Sequence, residues 1–309
     1  MARIAWTLKD MPSQRGKRAY VTGANSGFGY QTALELARRG ATVVLACRDA
    51  SRGQEAMRAI RAEVHDALLE LAILDLGSLA SVRAAAQEEL AKHAPLDLLV
   101  NNAGLMTPPT RQRTSDGFEV QLGTNVLAHF ALTGLLLPAI ERAPAPRVVT
   151  LASIAHRQGR IDFDDVQSEK AYVPMRAYAQ SKLANLMLAL ELERRLRRGG
   201  KRSVSVACHP GVAPTNLLTN VGPKWIAFVR RWVITALSNS VPGGALPTLF
   251  AATASEARGG GYYGPQGLGE VRGNDVGEAT IAPQATDEAI AARLWATCEE
   301  LTAVRFLDV

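Results

Sequence analysis

Short runs dense in Val, Leu, Ile and Ala alternate along the chain with longer stretches whose apolar positions recur every three to four residues. The runs RAYVT, ATVVLA, LELAIL, LDLLVN, RVVTLA and RSVSVA are almost continuously apolar, as strands covered on both faces must be. Between most of them the pattern predicts helices over 27–39, 51–64, 78–93, 117–140 and 175–198. Strand and helix in alternation build right-handed βαβ units, which predicts an α/β, doubly wound fold with a parallel sheet of about seven strands flanked by helices. No repeat or low-complexity linker breaks the pattern, so 15–309 reads as one domain after an N-terminal extension, 1–14. Residues 216–261 are richer in Pro, Gly and isolated aromatics and read as a variable substrate lid within that domain. The apolar stretch 126–140, VLAHFALTGLLLPAI, fits a core helix beside the sheet and a homodimer interface equally well.

Composition narrows the class. With 47% hydrophobic and 21% charged residues over 309 positions, the chain is ordinary for a globular protein. Its charge of +6 is spread out apart from RRLRRGGKR, 194–202. That run ends a long helical pattern, where cations favour the negative end of the helix dipole, so no nucleic-acid partner is inferred. Cys47, Cys208 and Cys298 lie far apart and form neither a disulfide framework nor a zinc spacing. A reducing, cytoplasmic location is expected. The five histidines show no ligand spacing, and no metal is predicted. The first residues lack a signal core, and stable membrane insertion is not expected. The segment WIAFVRRWVITAL, 225–237, is apolar and basic enough to touch a membrane surface, and reads equally as a substrate lid or a protein contact.

The candidate chemistry begins directly after the first predicted long strand, with TGANSGFG, 22–29. Gly23, Gly27 and Gly29 stand where a strand turns sharply into a helix, and the helix N-terminus offers free N–H groups to a pyrophosphate. The Gly-xxx-Gly-x-Gly spacing resembles that of the short-chain dehydrogenase/reductase family. Further matches follow in family order: NNAG at 101–104, Asn125, Ser153, YAQSK at 178–182 and HPG at 209–211. The resemblance spans most of 15–275 and implies a Rossmann fold and a nicotinamide coenzyme held by Gly23, Asn25, Ser26, Gly27, Phe28 and Gly29. It adds Asp75 and Leu76 near the adenine, Asn102, Ala103 and Gly104 along the adenosine, and Pro210, Gly211, Val212 and Thr215 near the nicotinamide. RVVTLASIAH and AYAQSKLANLMLALEL look like the retinol dehydrogenase branch, which protochlorophyllide reductases also resemble.

The coenzyme expected is NADP(H), with NAD the weaker alternative. An acidic residue ending the second strand of such folds holds the ribose hydroxyls in NAD enzymes, and here that position is Cys47. Arg48 beside it suits a 2'-phosphate through a planar, charge-assisted contact. In the competing reading Asp49 is the ribose ligand. The basic residue that many NADP-dependent members carry before the middle glycine is replaced by Ser26.

Tyr178 and Lys182 are four residues apart in a predicted helix, hence on one face. A free phenol, with a pKa of about 10, is a poor base. A neighbouring ammonium and an oxidised nicotinamide both favour phenolate, which makes Tyr178 the expected acid/base and Lys182 its electrostatic partner and ribose ligand. Ser153, 25 positions before Tyr178, resembles the family serine that bonds the substrate oxygen. Asn125 resembles the asparagine that holds a water leading from the lysine toward solvent. His209 reads as a structural neighbour, and His156 as a solvated loop residue or one approaching substrate.

Met106, Ser153, Leu217, Leu218 and Trp225 are the candidate substrate contacts and suggest a hydrophobic carbonyl or alcohol. Two other functions fit the same motifs: reduction of a carbon–carbon double bond, and a non-catalytic dinucleotide sensor or scaffold.

Overall fold

In the computed structural model, which describes residues 3–4, 6–212 and 239–308, each apolar run forms a strand. The strands are β1 (Arg3–Ile4), β2 (Arg18–Thr22), β3 (Thr42–Cys47), β4 (Leu68–Ile73), β5 (Leu98–Asn101), β6 (Arg147–Leu151), β7 (Val204–Cys208), β8 (Tyr262–Pro265) and β9 (Val276–Glu278). The helices are α1 (Gly27–Arg38), α2 (Ala50–Glu63), α3 (Leu79–Ala91), α4 (Val120–Ile140), α5 (Pro174–Arg198), α6 (Val241–Thr253) and α7 (Glu288–Thr302). Their ends carry the expected signals: Asp49 and Ser78 cap α2 and α3 through their side chains, and Pro174 opens α5.

Among the described residues the sheet has the order β1-β9-β8-β7-β6-β5-β2-β3-β4. From β4 to β8 the pairings are parallel, the seven strands expected; β9 and β1 extend this core antiparallel. Successive strands run outward in opposite directions from β2 and β5, so the carboxyl ends of these two open the cleft where doubly wound sheets bind ligands. Each face of the sheet carries its own core. One packs against α3, α4, α5 and α7, the other against α1, α2 and α6.

Three regions depart from the sequence reading. Residues 6–14, read as an extension, pack into the domain: Trp6 and Met11 are buried, and Trp6 meets Phe250 edge-on with ring centroids 5.5 Å apart. Within 239–261, read as the second half of a lid, residues 243–254 are core, because the small side chains of VPGGALPTLFAAT let α6 lie close on the sheet. At Gly244 an added Cβ would strike the Phe28 ring. The stretch 126–140 is a core helix covered by the chain's own C-terminus. Phe130 packs on Trp295 and Phe306, both with centroids 4.9 Å away. The helix Val120–Ile140 is long and apolar enough to cross a membrane, yet 78% of its most apolar window is buried in the fold.

Candidate active site

The glycine turn joins β2 to α1 at the mouth of the cleft. Gly23 (φ +67°) and Gly27 (φ +56°) hold left-handed backbone that side chains resist. Gly29 is required by contact instead, since an added Cβ would collide with the Gly23 carbonyl and the Asn102 amide. Ser26 heads α1 with no side-chain cap, so the first N–H groups keep their partial positive charge for an anion, and Asn25 lies in the turn before them. Thr22 seals the bottom of the cleft. Its Oγ1 accepts from the N–H groups of Asn102 (2.9 Å) and Ala103 (3.0 Å), while Asn102 Nδ2 donates to the Thr22 carbonyl (2.8 Å). This cradle of backbone N–H groups and close-packed glycines fits the diphosphate of a dinucleotide.

A cavity of about 420 Å³ lies beyond it, between the ends of β5, β6 and β7. Phe28, Asn102, Gly104, Met106, Ser153, Tyr178, Lys182, Pro210, Gly211 and Val212 all line it, so residues spread over most of the sequence converge on one space. Leu105, Ile154, Ala155 and Met175 complete an apolar wall. Of these, Ile154, Ala155 and Met175 escaped the sequence reading because isolated apolar residues carry no pattern of their own.

Lys182 is buried, and its Nζ donates to the Leu151 carbonyl at 3.0 Å and sits 6.0 Å from the centre of the Tyr178 ring. Burial pulls its pKa down to about 8. Tyr178 moves the opposite way: burial raises it above 10.0, and a hydrogen bond with Ser153 acts against the rise. The phenol lowered by its ammonium neighbour is therefore not found in the protein alone, because burial outweighs the Ser153 hydrogen bond. Ser153, two residues beyond β6, opens a short 3-10 turn, accepting from the Ala155 N–H at 3.2 Å.

Asn125 is completely buried within a π-helical segment of α4, Gly123–Leu127, a local widening common at functional sites. Its Nδ2 donates to the Leu105 carbonyl (2.9 Å) and Ser181 Oγ (3.1 Å), and its Oδ1 accepts from the Leu105 N–H (2.9 Å). Gly104 passes between the two polar groups. An added Cβ there would lie 3.2 Å from Asn125 Oδ1 and 3.7 Å from Lys182 Nζ. His129 was given no role by sequence, yet it links the site to the cradle: Nδ1 bonds the Asn125 carbonyl (3.1 Å) and Nε2 bonds Thr22 Oγ1 (3.0 Å). Since a carbonyl only accepts, Nδ1 carries the proton, and burial lowers the imidazole pKa to about 4, keeping it neutral. Its signal was present as one polar residue inside an apolar helix.

Other expected residues stand outside the cavity. Arg48 is exposed beyond β3. Asp49, the competing ribose ligand, spends its Oδ1 on the N–H groups of Ser51 and Arg52 at the start of α2. Asp75 Oδ1 accepts from Gly77 N–H (2.9 Å), and Leu76 is buried in the core. His156 is neither solvated nor facing substrate; it is fully buried between the Ser153 carbonyl and the Ala282 N–H. His209 is the structural neighbour expected, buried against Glu270. Thr215, Leu217, Leu218 and Trp225 lie outside the described residues.

The short chain dehydrogenase family matches residues 17–225. Mouse polyprenol dehydrogenase is 43% identical over 298 residues, covering 94% of this chain and 85% of the relative. Human retinol dehydrogenase 13 is 40% identical over 294 residues, covering 93% and 84%. The crystal structure of an uncharacterized protein from Mycobacterium paratuberculosis superposes with a TM-score of 0.81 at 40% identity, covering 98% of this chain and 99% of that one. Pseudomonas aeruginosa RhlG in an NADP active-site complex gives a TM-score of 0.63 at 25% identity, covering 81% and 94%. With its glycine cradle, its switch-point cavity and relatives that align along nearly its whole length, the chain belongs to the short-chain dehydrogenase family, as a dinucleotide-dependent oxidoreductase of the retinol dehydrogenase-like branch.

Proposed function

We propose that the chain is an NADP(H)-dependent dehydrogenase/reductase acting on the carbonyl or alcohol carbon of a hydrophobic substrate, with Tyr178 as acid/base. The carrying observation is the convergence of Ser153, Tyr178 and Lys182 on one largely apolar cavity beside Gly104 and the loop Pro210–Val212. When bound, the coenzyme supplies the hydride, which forms the new C–H bond at the carbonyl carbon. Ser153 orients the substrate oxygen. Tyr178 gives its proton to that oxygen during reduction and takes it back during oxidation. Lys182 holds positive charge beside the phenol and would bond a ribose hydroxyl of the bound coenzyme. Asn125 fixes the Leu105 backbone next to Lys182 and carries the proton path onward through a water.

Capping of α2 by Asp49 supports NADP over NAD, because the carboxylate is already engaged while Arg48 stays exposed for a phosphate. The NADP held in the RhlG complex supports the same choice. The relatives named for retinol and polyprenol support a bulky apolar alcohol or aldehyde, as do Leu105, Met106, Ile154 and Met175. Three buried, unpaired cysteines suit a reducing cytoplasmic compartment.

Initial rates on a panel of long-chain and terpenoid aldehydes and alcohols, with both coenzymes and a Tyr178→Phe control, test the reading. Turnover with NADPH that vanishes in the control is expected, as is a weaker NADPH preference in Arg48→Asp. A preference for NADH rejects the coenzyme assignment. A saturated carbonyl product from an enal rejects carbonyl chemistry.

A further inference from the structure

Behind the two loops that flank the cavity lies a carboxylate that the chemistry above does not use. Glu270 stands in the connection between β8 and β9 with φ +60°, left-handed backbone that is costly for a side-chain-bearing residue. Its Oε2 meets Arg157 Nη2 at 2.5 Å and His209 Nε2 at 3.1 Å. Its Oε1 accepts from the Thr280 N–H (3.0 Å) and Oγ1 (2.7 Å), so four donors from three segments converge on one carboxylate.

Two of those donors come from the loops that build the cavity. His209 directly precedes Pro210, and its Nδ1 accepts from the Gly211 N–H at 3.2 Å, which leaves Nε2 to carry the proton toward Glu270. The residue after Glu270 grips the same loop: the Val271 carbonyl accepts from Val212 N–H at 2.7 Å, and Gly211 passes it too closely for a Cβ. On the other side, Arg157 follows Ser153, Ile154 and Ala155, which line the cavity. Its neighbour His156 bonds the Ser153 carbonyl at 2.6 Å.

We propose that Glu270 is a positioning residue that fixes the separation between Ser153 and the Pro210–Val212 loop, and so between the substrate oxygen and the coenzyme ring. The inference rests on the functional reading given above. Removing the charge takes from both loops the one side-chain oxygen that Arg157 and His209 share, while the β6–β7 ladder, the Ala152 N–H bond to the Cys208 carbonyl (2.8 Å) and the Val212–Val271 bond remain.

The test compares Glu270→Gln, Arg157→Met and the double variant in the full chain, using NADPH and the best aldehyde of the panel. Because small misplacements of reacting groups cost up to about 100-fold, each single variant should lose roughly 10- to 100-fold in kcat. NADPH affinity should stay nearly constant, and deuterated NADPH should give a larger isotope effect as the hydride step becomes limiting. The double variant should be no slower than the slower single, since both break one connection. Arg157 is the more exposed partner, so its replacement keeps the test open if Glu270→Gln fails to fold. A wild-type kcat in either folded variant, or losses that multiply in the double, overturns the proposal. A wild type silent on the whole panel overturns the functional reading itself, and is thereby distinguished from a failure of the brace.

Discussion

Replacing Lys182 by Met should abolish turnover and make the coenzyme-free protein more stable at neutral pH. The lysine is buried with its pKa drawn down from 10.5 to about 8, so the fold holds a cation that burial disfavours. At about 1.4 kcal/mol per pH unit, the gap corresponds to about 3 kcal/mol of destabilisation while the unfolded lysine is charged. Met keeps most of the aliphatic stem but loses the hydrogen bond to the Leu151 carbonyl, worth about 1 kcal/mol. That carbonyl is not orphaned, because Asn185 Nδ2 also donates to it at 3.1 Å. The net gain of about 2 kcal/mol raises the melting temperature by about 4 °C in a domain of this size. The sign of the pH dependence follows from the depressed pKa. The penalty is complete below about 8, shrinks as pH rises from there, and is gone above 10.5, where the unfolded lysine has lost its proton too. Calorimetry of both proteins near neutral pH and near the upper end of that window reads the effect directly. A variant that melts lower at neutral pH, or a gap that stays constant across the window, refutes the reasoning.

Asn125→Ala leaves the half-buried N–H and C=O of Leu105 without their Asn125 partner, a loss of about 1–3 kcal/mol, and should lower turnover far more than coenzyme affinity. Equal turnover in the two proteins counts against the proton path, and an unchanged urea midpoint against the structural argument. Phe306→Ala empties the space between Phe130 and Trp295 and should cost about 3–5 kcal/mol in urea unfolding while NADPH affinity is preserved. Gly29→Ala drives a methyl into the Gly23 carbonyl and should weaken NADPH binding, read by fluorescence titration, more than it lowers the melting temperature. Wild-type affinity in that variant would show that the turn relaxes freely.

The parallel sheet was legible because strands buried on both faces need continuous apolar runs, and the residues that meet at the cavity because their motifs are local. What escaped was set by contacts between distant segments. β1 has two residues and β9 three, too short for any alternation to register. In α6 the Gly, Pro and Ala content resembles a loop, whereas small side chains are what a close helix–sheet contact demands. The aromatic cluster of Phe130, Trp295 and Phe306 joins positions far apart in sequence, so 126–140 by itself could not reveal what covered it.

The same distinction explains why the Asn125 motif told only part of its story. A lone asparagine in an apolar helix signals a polar node but not its partners, and those partners, Leu105, His129 and Ser181, come from three places in the chain. The π-helical turn at Gly123–Leu127 sets Asn125 against Leu105 and Ser181 while Gln121, four residues earlier, receives the Thr107 N–H at 2.8 Å. Thr107 has φ +48°, a conformation a β-branched residue avoids, so this stretch of cavity wall keeps its shape because two side chains of one helix hold it there. Gln121 Nε2 also donates to Tyr172 Oη and the Pro174 carbonyl, both at 3.2 Å, which ties the wall to the start of the helix that carries Tyr178 and Lys182. The distance between the apolar wall and the Tyr178 phenol is therefore set by buried amides on α4 and not by the loops themselves, and variation in those loops can change the shape of the cavity without disturbing Tyr178.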